Sequence, residues 1–110
     1  MNKIKLLFVC SSNLDRSPAA VEIFNNHEDC EAKSCGILPH SDIEISQKLI
    51  DWAEIIYCME EEHKHFILSN FHAFDKKIVV LDISNEYLRN DPRLKKLIEE
   101  RIAVRTIRNK

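Results

Sequence analysis

The sequence predicts an α/β fold in which helices cover both faces of one parallel sheet. Short apolar runs alternate with amphipathic segments along the chain, and this alternation is typical of strands and helices in β-α-β units. The chain has 110 residues, which suffices for one hydrophobic core but not for two. We therefore expect a single domain over residues 1–110 with four parallel strands.

The first half of the chain predicts two strands and two helices. The strands cover about residues 3–9 and 31–35, and the helices cover about residues 17–26 and 43–53. The first strand is an almost continuous apolar run, as expected of a strand buried on both faces. Ser17 suits the N-cap of the first helix and Pro18 its first residue, where a missing N–H group costs nothing. Gly36 ends the second strand, and Ser41 or Asp42 is expected to cap the second helix.

The second half of the chain predicts two more strands and two more helices. The strands cover about residues 55–59 and 77–82, and the helices cover about residues 60–68 and 91–107. Both strands are compact apolar runs. The third helix begins with consecutive glutamates and the last helix ends with basic residues, and both features complement the helix dipole.

The stretch between the first strand and the first helix, Val9–Pro18, carries the strongest chemical signal. Backbone N–H groups at a helix N-terminus point at one spot, and the helix dipole makes that spot favourable for an anion. Cys10 opens the loop, where a helix N-terminus beside a guanidinium favours the reactive thiolate. Arg16 closes the loop and can bind two phosphate oxygens as a fork. The spacing Cys-x5-Arg-Ser therefore predicts a nucleophile inside a phosphate-binding loop.

This loop resembles the signature of the low-molecular-weight protein tyrosine phosphatases, and the chain length is similar to that of a short bacterial and archaeal branch. The resemblance runs from Lys3 to the last helix and is sharpest over Cys10–Phe24. It implies a phosphatase-like domain with the strand order 2-1-3-4. It also implies that Cys10 forms a cysteinyl-phosphate, and that Asp91, which precedes Pro92, protonates the leaving group and then activates water. Such an acid needs a pKa raised by the nearby dianion.

The residues predicted to bind the phosphate are Ser11, Ser12, Asn13, Leu14, Asp15, Arg16 and Ser17. Arg16 would hold the equatorial oxygens, Ser17 would donate to the thiolate, and Asn13 tolerates the left-handed backbone that a tight loop needs. Asp15 and Ser12 depart from the longer members of the family, which often have a second cysteine and a glycine there. A carboxylate near a bound dianion repels it unless it points to solvent or pairs with a cation.

Composition restricts the classes of partner. The net charge of −2 gives no broad basic surface for nucleic acid, and no apolar run approaches the roughly 20 residues that span a bilayer. The N-terminal apolar run is too short for a signal peptide, so we expect a cytoplasmic protein with reduced cysteines. We expect a monomer that needs no metal and no cofactor and acts on a phosphotyrosine protein or a small phosphomonoester.

Alternative functions of the same fold stay open. An arsenate reductase would reuse the oxyanion loop but needs further thiols, and Cys30, Cys35 and Cys58 do not form an obvious relay. A phosphocysteine carrier could share the fold, although a nearby arginine and acid should promote hydrolysis. A non-catalytic domain that binds phosphate or a phosphopeptide would keep the loop without turnover, and Asp15 and Ser12 favour this alternative.

Overall fold

The computed structural model describes residues 3–108, whose centre is a parallel sheet of four strands in the order β2-β1-β3-β4. The strands are β1 (Ile4–Cys10), β2 (Cys30–Gly36), β3 (Ile55–Cys58) and β4 (Lys77–Val80). The helices are α1 (Arg16–Phe24), α2 (Gln47–Trp52), α3 (Glu61–Asn70) and α4 (Pro92–Arg108). Each neighbouring pair of strands is parallel. The predicted fold class and strand order are confirmed.

The central strand β1 is buried between two apolar clusters. Phe8 belongs to the cluster that includes side chains of α1 and α4, whereas Leu7 belongs to the cluster that includes side chains of α2 and α3. Phe8 also stacks on Phe24 and Tyr57, with ring centroids 5.6 and 5.3 Å away. Because successive side chains of this strand enter opposite clusters, both sets must be apolar, which explains the continuous apolar run in the sequence.

The order of the strands changes direction at β1. The chain passes from β1 through α1 to β2 on one side, and then crosses back to β3 on the other side. In open parallel sheets the carboxyl ends of the two strands at such a switch point leave a crevice where ligands bind. Cys10 ends β1 and Glu60 follows β3, so the fold brings both residues to this crevice.

Helix α1 begins earlier than predicted. It starts at Arg16, and Asp15 rather than Ser17 occupies the N-cap position, so the predicted cap was wrong. The loop turns tightly enough for the N–H of Ala19 to reach the carbonyl of Asp15 at 3.0 Å, which closes the first helical turn around Arg16. The backbone of Arg16 is therefore held within the helix from its first residue.

Helix α2 begins later than predicted, and neither Ser41 nor Asp42 caps it. Its N-cap is Ser46, whose hydroxyl accepts a backbone N–H of the first turn. The preceding segment is extended because Gly36 and Glu44 form an isolated parallel bridge at the end of β2. Extended pairing uses the backbone groups that a helix would need, so the helix starts only after this segment.

Gly36, the single glycine of the chain, lies where β2 meets the loop after β1. A Cβ atom at this position would lie 2.7 Å from the carbonyl oxygen of Ser11 and 2.9 Å from the carbonyl carbon of Ser12, and it would overlap Oγ of Ser41. These separations are shorter than real side chains allow. Glycine is required here because two backbone segments come into direct contact.

Helix α4 begins at Pro92, directly after Asp91, as predicted. Leu94 and Ile98 are fully buried and join the cluster under α1. Arg101 donates hydrogen bonds of 2.8 Å to two backbone carbonyls just after β4, which fixes the helix against the sheet. Within residues 3–108, no helix has the length and apolar character needed to cross a membrane.

Candidate active site

The loop between β1 and α1 surrounds a small pocket at the carboxyl edge of the sheet. The pocket has a volume of about 170 Å³ and is lined by Cys10, Ser11, Ser12, Leu14, Asp15, Arg16 and Asn85. Asn85 comes from the segment between β4 and α4, and the other lining residues come from the loop and its two ends. Two further predicted residues of the loop, Asn13 and Ser17, are buried. The structure thus brings the predicted cysteine and arginine to one space.

Cys10 is the buried end of β1, with 2% of its surface exposed. Its Sγ accepts a hydrogen bond from the backbone N–H of Asn13, with an N to S distance of 3.2 Å. Asn13 has the left-handed backbone that the sequence suggested, with a φ of 58°. Its amide also donates to Oδ1 of Asp42 at 2.9 Å, which holds this strained residue in place. The hydrogen bond to Asn13 therefore ties the sulfur atom of Cys10 to the backbone of the loop.

Ser17 is fully buried in the first turn of α1, and its Oγ has no hydrogen-bond partner among residues 3–108. A buried hydroxyl without a partner is unfavourable by about 1–3 kcal/mol. A thiolate at Cys10 or a phosphate oxygen in the loop would satisfy this hydroxyl. The location is compatible with the donor role expected for Ser17, which stays a prediction.

Arg16 is 3% exposed and is held by three elements of the fold. Its Nη1 donates to Oε2 of Glu60 at 2.6 Å and to the backbone carbonyl of Ile83 at 2.7 Å. Its Nη2 donates to Oγ of Ser11 at a longer 3.4 Å. Glu60 follows β3 and Ile83 follows β4, so the guanidinium lies where the ends of these strands meet the loop after β1.

His63 is a buried residue of α3 that connects Glu60 to the loop. Its Nδ1 accepts the backbone N–H of Glu60 at 2.9 Å, and its Nε2 lies 3.1 Å from Oγ of Ser11. Burial, assisted by the charge of Arg16, lowers the pKa of His63 to about 4, although Glu60 opposes this shift. The ring is therefore neutral at pH 7. Because Nδ1 accepts a hydrogen bond, the ring hydrogen is assigned to Nε2, which donates to Ser11.

The start of α3 also groups three side chains that metals commonly use, namely Glu60, Glu62 and His63, whose ligand atoms lie within 4.8 Å of one another. Both ring nitrogens of His63 are already hydrogen-bonded, and Oε2 of Glu60 is bound by Arg16. A metal ion would have to break these bonds and lie beside a guanidinium cation. The arrangement therefore fits a hydrogen-bond network better than a metal site.

Asp15 lines the pocket, but its carboxylate has a partner. Its Oδ1 accepts the backbone N–H of Arg89 at 2.9 Å, and Nε of Arg89 lies 3.4 Å from Oε1 of Glu22 in α1. The carboxylate thus has a backbone donor as its partner, whereas the sequence had left solvent and a cation as the two possibilities. This bond links the loop between β1 and α1 to the segment that precedes Asp91.

Asp91 is bound by Arg93 and does not line the pocket. Its carboxylate accepts the backbone N–H of Arg93 at 2.9 Å and the guanidinium Nη2 at 2.7 Å. The side-chain hydrogen bonds from Arg93 lower the pKa of Asp91 below its usual value, with the backbone bond adding to this effect. In this conformation Arg93 thus disfavours the protonated acid, and the rise in pKa expected beside a bound dianion stays a prediction. The general-acid role of Asp91 stays a prediction that requires this carboxylate to leave Arg93.

The mouth of the pocket combines apolar and polar groups. Leu14 is 65% exposed, as expected for a residue that could touch a substrate. Oγ of Ser12 lies 3.2 Å from Nε2 of His40, a contact that gives this hydroxyl a partner outside the loop. An extended substrate would therefore meet an apolar side chain and a small polar pair at the entrance.

Glu60, His63 and Asn85 lie at the site although the sequence pattern did not single them out. The available signal was position, because Glu60 comes shortly after β3 and His63 lies in the first turn of α3. Nothing in the composition of the segment after β4 indicated that Asn85 would line the pocket.

Among known proteins, solved structures match this chain, whereas sequence comparisons find no match. No protein-family model matches the sequence, and no curated protein matches it. The YwlE arginine phosphatase from Geobacillus stearothermophilus is 25% identical with a TM-score of 0.71, and the match covers 92% of this chain and 91% of that chain. A low-molecular-weight protein tyrosine phosphatase from T. tengcongensis is 24% identical with a TM-score of 0.66, covering 93% and 95%.

The Wzb tyrosine phosphatase from Escherichia coli K30, solved in complex with phosphate, is 15% identical with a TM-score of 0.70, and the match covers 91% of this chain and 94% of that chain. These matches span nearly the whole of each chain, so the similarity concerns the complete sheet and its helices. It adds to the loop geometry, in which a cysteine and an arginine share one pocket at the start of α1. The chain therefore shares the fold of the low-molecular-weight protein tyrosine phosphatases along nearly its whole length.

Proposed function

We propose that this chain is a cysteine-dependent phosphomonoester hydrolase that works through a cysteinyl-phosphate intermediate at Cys10. The observation that carries this proposal is that Cys10 and Arg16 line the same pocket at the N-terminus of α1. The pocket supplies a nucleophile, a fixed cation and helix N–H groups, which are the groups that phosphoryl transfer requires.

In the first step, Sγ of Cys10 attacks phosphorus. An S–P bond forms while the bond between phosphorus and the ester oxygen breaks, and the leaving oxygen takes a proton. Arg16 and the backbone N–H groups of the loop stabilise the charge on the equatorial oxygens during this transfer. We propose Asp91 as the donor of that proton, once it has left Arg93.

In the second step, a water molecule attacks the phosphorus of the cysteinyl-phosphate. The S–P bond breaks, inorganic phosphate leaves and Cys10 returns to the thiolate. The carboxylate of Asp91, which lost its proton in the first step, accepts one from the attacking water. The two steps therefore return both residues to their starting states without a metal or a redox partner.

The proposed substrate is a phosphotyrosine protein or a small phosphomonoester, and we propose a cytoplasmic monomer without nucleic-acid or membrane partners. The low net charge supports the absence of a nucleic-acid partner. Among the similar structures, one is named an arginine phosphatase and others are named tyrosine phosphatases. A substrate panel should therefore contain phosphotyrosine peptides, phosphoarginine peptides and small phosphomonoesters.

The direct test replaces Cys10 with serine. Wild-type protein should hydrolyse p-nitrophenyl phosphate in the presence of a metal chelator and should be inhibited by vanadate, whereas Cys10→Ser should show no turnover because an alkoxide is not available at neutral pH. Cys30→Ser is the matched control, because Cys30 does not line the pocket, and it should retain full activity. Turnover that survives in Cys10→Ser would contradict the proposal.

An arsenate reductase is less well supported by the remaining thiols. Cys35 and Cys58 are buried, and burial raises the pKa of Cys58 to about 12 and raises the pKa of Cys35 still further. Thiols that stay protonated are poor carriers of oxidising equivalents. A non-catalytic phosphate-binding domain would bind phosphate or a phosphopeptide without hydrolysing the substrates of the panel.

A further inference from the structure

We propose that Glu60 is a positioning residue that fixes which edge of the Arg16 guanidinium faces the phosphate. The inference rests on the proposed function, because it concerns the same pocket. Glu60 follows β3 and forms an ion pair of 2.6 Å with a guanidinium that is almost fully buried. A carboxylate so close to a phosphate-binding cation could compete with the substrate, so its role has to be decided from the geometry.

The hydrogen bonds of Arg16 are unevenly distributed over its nitrogen atoms. Nη1 carries two hydrogens, and it donates to Glu60 at 2.6 Å and to the backbone carbonyl of Ile83 at 2.7 Å. Both hydrogens of Nη1 are thus used. Nε makes no hydrogen bond to another residue of the described range 3–108, and Nη2 makes only the long bond to Ser11. The edge formed by Nε and Nη2 is therefore available as a fork for two phosphate oxygens.

Glu60 is itself held by a hydrogen bond of its backbone to His63. Its backbone N–H donates to Nδ1 of His63 at 2.9 Å, so the fully buried histidine ring supports the residue that precedes α3. The same ring lies 3.1 Å from Oγ of Ser11, to which its Nε2 donates. Ser11 thus accepts from His63 and from Arg16, and its own hydroxyl hydrogen is left to donate to a ligand oxygen. Glu60 and His63 together orient two donors of the pocket.

The negative charge of Glu60 and its contact with Arg16 lead to opposite expectations for how its removal changes phosphate binding. If its carboxylate only competed with phosphate for Arg16, removing it would tighten phosphate binding. If it positions Arg16, removing it would leave a buried guanidinium without its strongest partner and free to rotate, which would weaken phosphate binding. The bond of Nη1 to Ile83 alone leaves one hydrogen of that nitrogen without an acceptor.

The test measures the affinity for inorganic phosphate by calorimetry, on Cys10→Ser proteins that bind without turnover. Glu60→Gln keeps an oxygen acceptor for Nη1, whereas Glu60→Ala removes it. We expect Glu60→Ala to weaken phosphate binding about tenfold or more, and Glu60→Gln to retain more affinity than Glu60→Ala. Glu61→Gln removes the same charge one residue away without touching Arg16, and it should leave the affinity unchanged.

The inference is overturned if Glu60→Ala binds phosphate as tightly as the reference or more tightly, or if Glu60→Gln and Glu60→Ala lose equal affinity. If Glu60→Ala does not fold, the proposal can still be tested by nuclear magnetic resonance on the Cys10→Ser protein, in which Glu60 is intact. In nitrogen-15 spectra of the Arg16 guanidinium, added phosphate should shift the Nε resonance and leave Nη1 restricted in rotation. Loss of that restriction would show that phosphate displaces Glu60 and would overturn the inference.

These outcomes are separate from those of the proposed function. If wild-type protein neither hydrolyses the substrate panel nor binds phosphate, the proposed function fails. If wild-type protein hydrolyses an aryl phosphate but Glu60 has no effect on affinity, only the positioning role fails. In the active enzyme, Glu60→Ala should raise KM and lower kcat, because Arg16 contacts both the bound substrate and the transition state.

Discussion

At the scale of single residues, the site depends on buried polar groups whose hydrogen bonds fix their charge and direction. His63 accepts a backbone N–H at one ring nitrogen and donates at the other, so the neutral ring satisfies both neighbours. A protonated ring could not accept from Glu60, and one buried donor would lose its acceptor. The neutral state of His63 is therefore part of the folded structure.

This state predicts a loss of stability in mild acid. An unfolded histidine titrates near pH 6.5, whereas the pKa of His63 in the folded protein is about 4. Between these values the unfolded chain binds a proton that the folded chain does not, so stability falls as the pH falls from about 6.5 to about 4, by about 3 kcal/mol in total. Urea unfolding of wild type and His63→Gln at several pH values measures this effect. An equally steep pH dependence in His63→Gln would contradict it.

Gly36 gives a second prediction at this scale. A methyl group at residue 36 would have to displace the carbonyl of Ser11, which belongs to the loop that we propose binds phosphate. We expect Gly36→Ala to reduce stability by about 1–3 kcal/mol and to weaken phosphate binding, because backbone cannot yield as a flexible side chain can. Ser34→Ala, in the same strand, is the control. Calorimetric titration with phosphate would contradict the prediction if Gly36→Ala bound as the control does.

At the scale of elements, the sequence predicted every strand and helix but not all of their ends. The apolar runs sufficed for the strands because buried parallel strands need apolar side chains on both faces. The start of α2 was wrong because a bridge between Gly36 and Glu44 extends the preceding segment, and such a contact depends on residues of another strand. The start of α1 was wrong by one residue because the tight loop makes Arg16 helical.

The segment that enters α4 carries the element-scale prediction. Arg93 holds the carboxylate of Asp91 and lowers its pKa, which disfavours the protonated form that a general acid needs. In Arg93→Ala the pKa of Asp91 should rise, so the proton stays on the acid to higher pH. With phenyl phosphate, whose leaving group is poor, we expect kcat to increase and the pH at which activity declines to move upward.

Substrates with a good leaving group provide the comparison for this prediction. Hydrolysis of p-nitrophenyl phosphate depends less on a proton donor, so Arg93→Ala should change it less. Asp91→Asn removes the acid and should slow phenyl phosphate more than p-nitrophenyl phosphate. Equal slowing of both substrates by Asp91→Asn would exclude Asp91 as the proton donor.

At the scale of the whole molecule, the sheet determines which residues can meet. The strand order, which the family resemblance implied, brings the ends of β1, β3 and β4 to one edge, and the predicted loop lies there. The pairing of Arg16 with Glu60 could not be predicted, because several acidic residues share that edge and only side-chain packing selects one. For the same reason, the sequence could not show that Asp91 would be bound by Arg93.

The opposite edge of the sheet has a wider groove of about 840 Å³ between charged residues that include Lys5 and Glu54. No cysteine lines this groove, so the wider of the two spaces is not the one that holds the proposed nucleophile. The smaller space at the carboxyl edge is distinguished by Cys10 and Arg16, which the sequence predicted to lie in one loop. The topology thus explains the location of the pocket, and individual side chains carry the chemistry that we propose for it.

The hydrogen bond between Asp15 and the backbone of Arg89 has one more consequence. The same carboxylate faces the pocket and restrains the segment that leads to Asp91. An arriving dianion would repel this carboxylate, and any movement of Asp15 away from the charge would also release the N–H that it holds. The arrival of a phosphate would then loosen the segment that precedes Asp91, because that segment would lose its hydrogen bond to the loop.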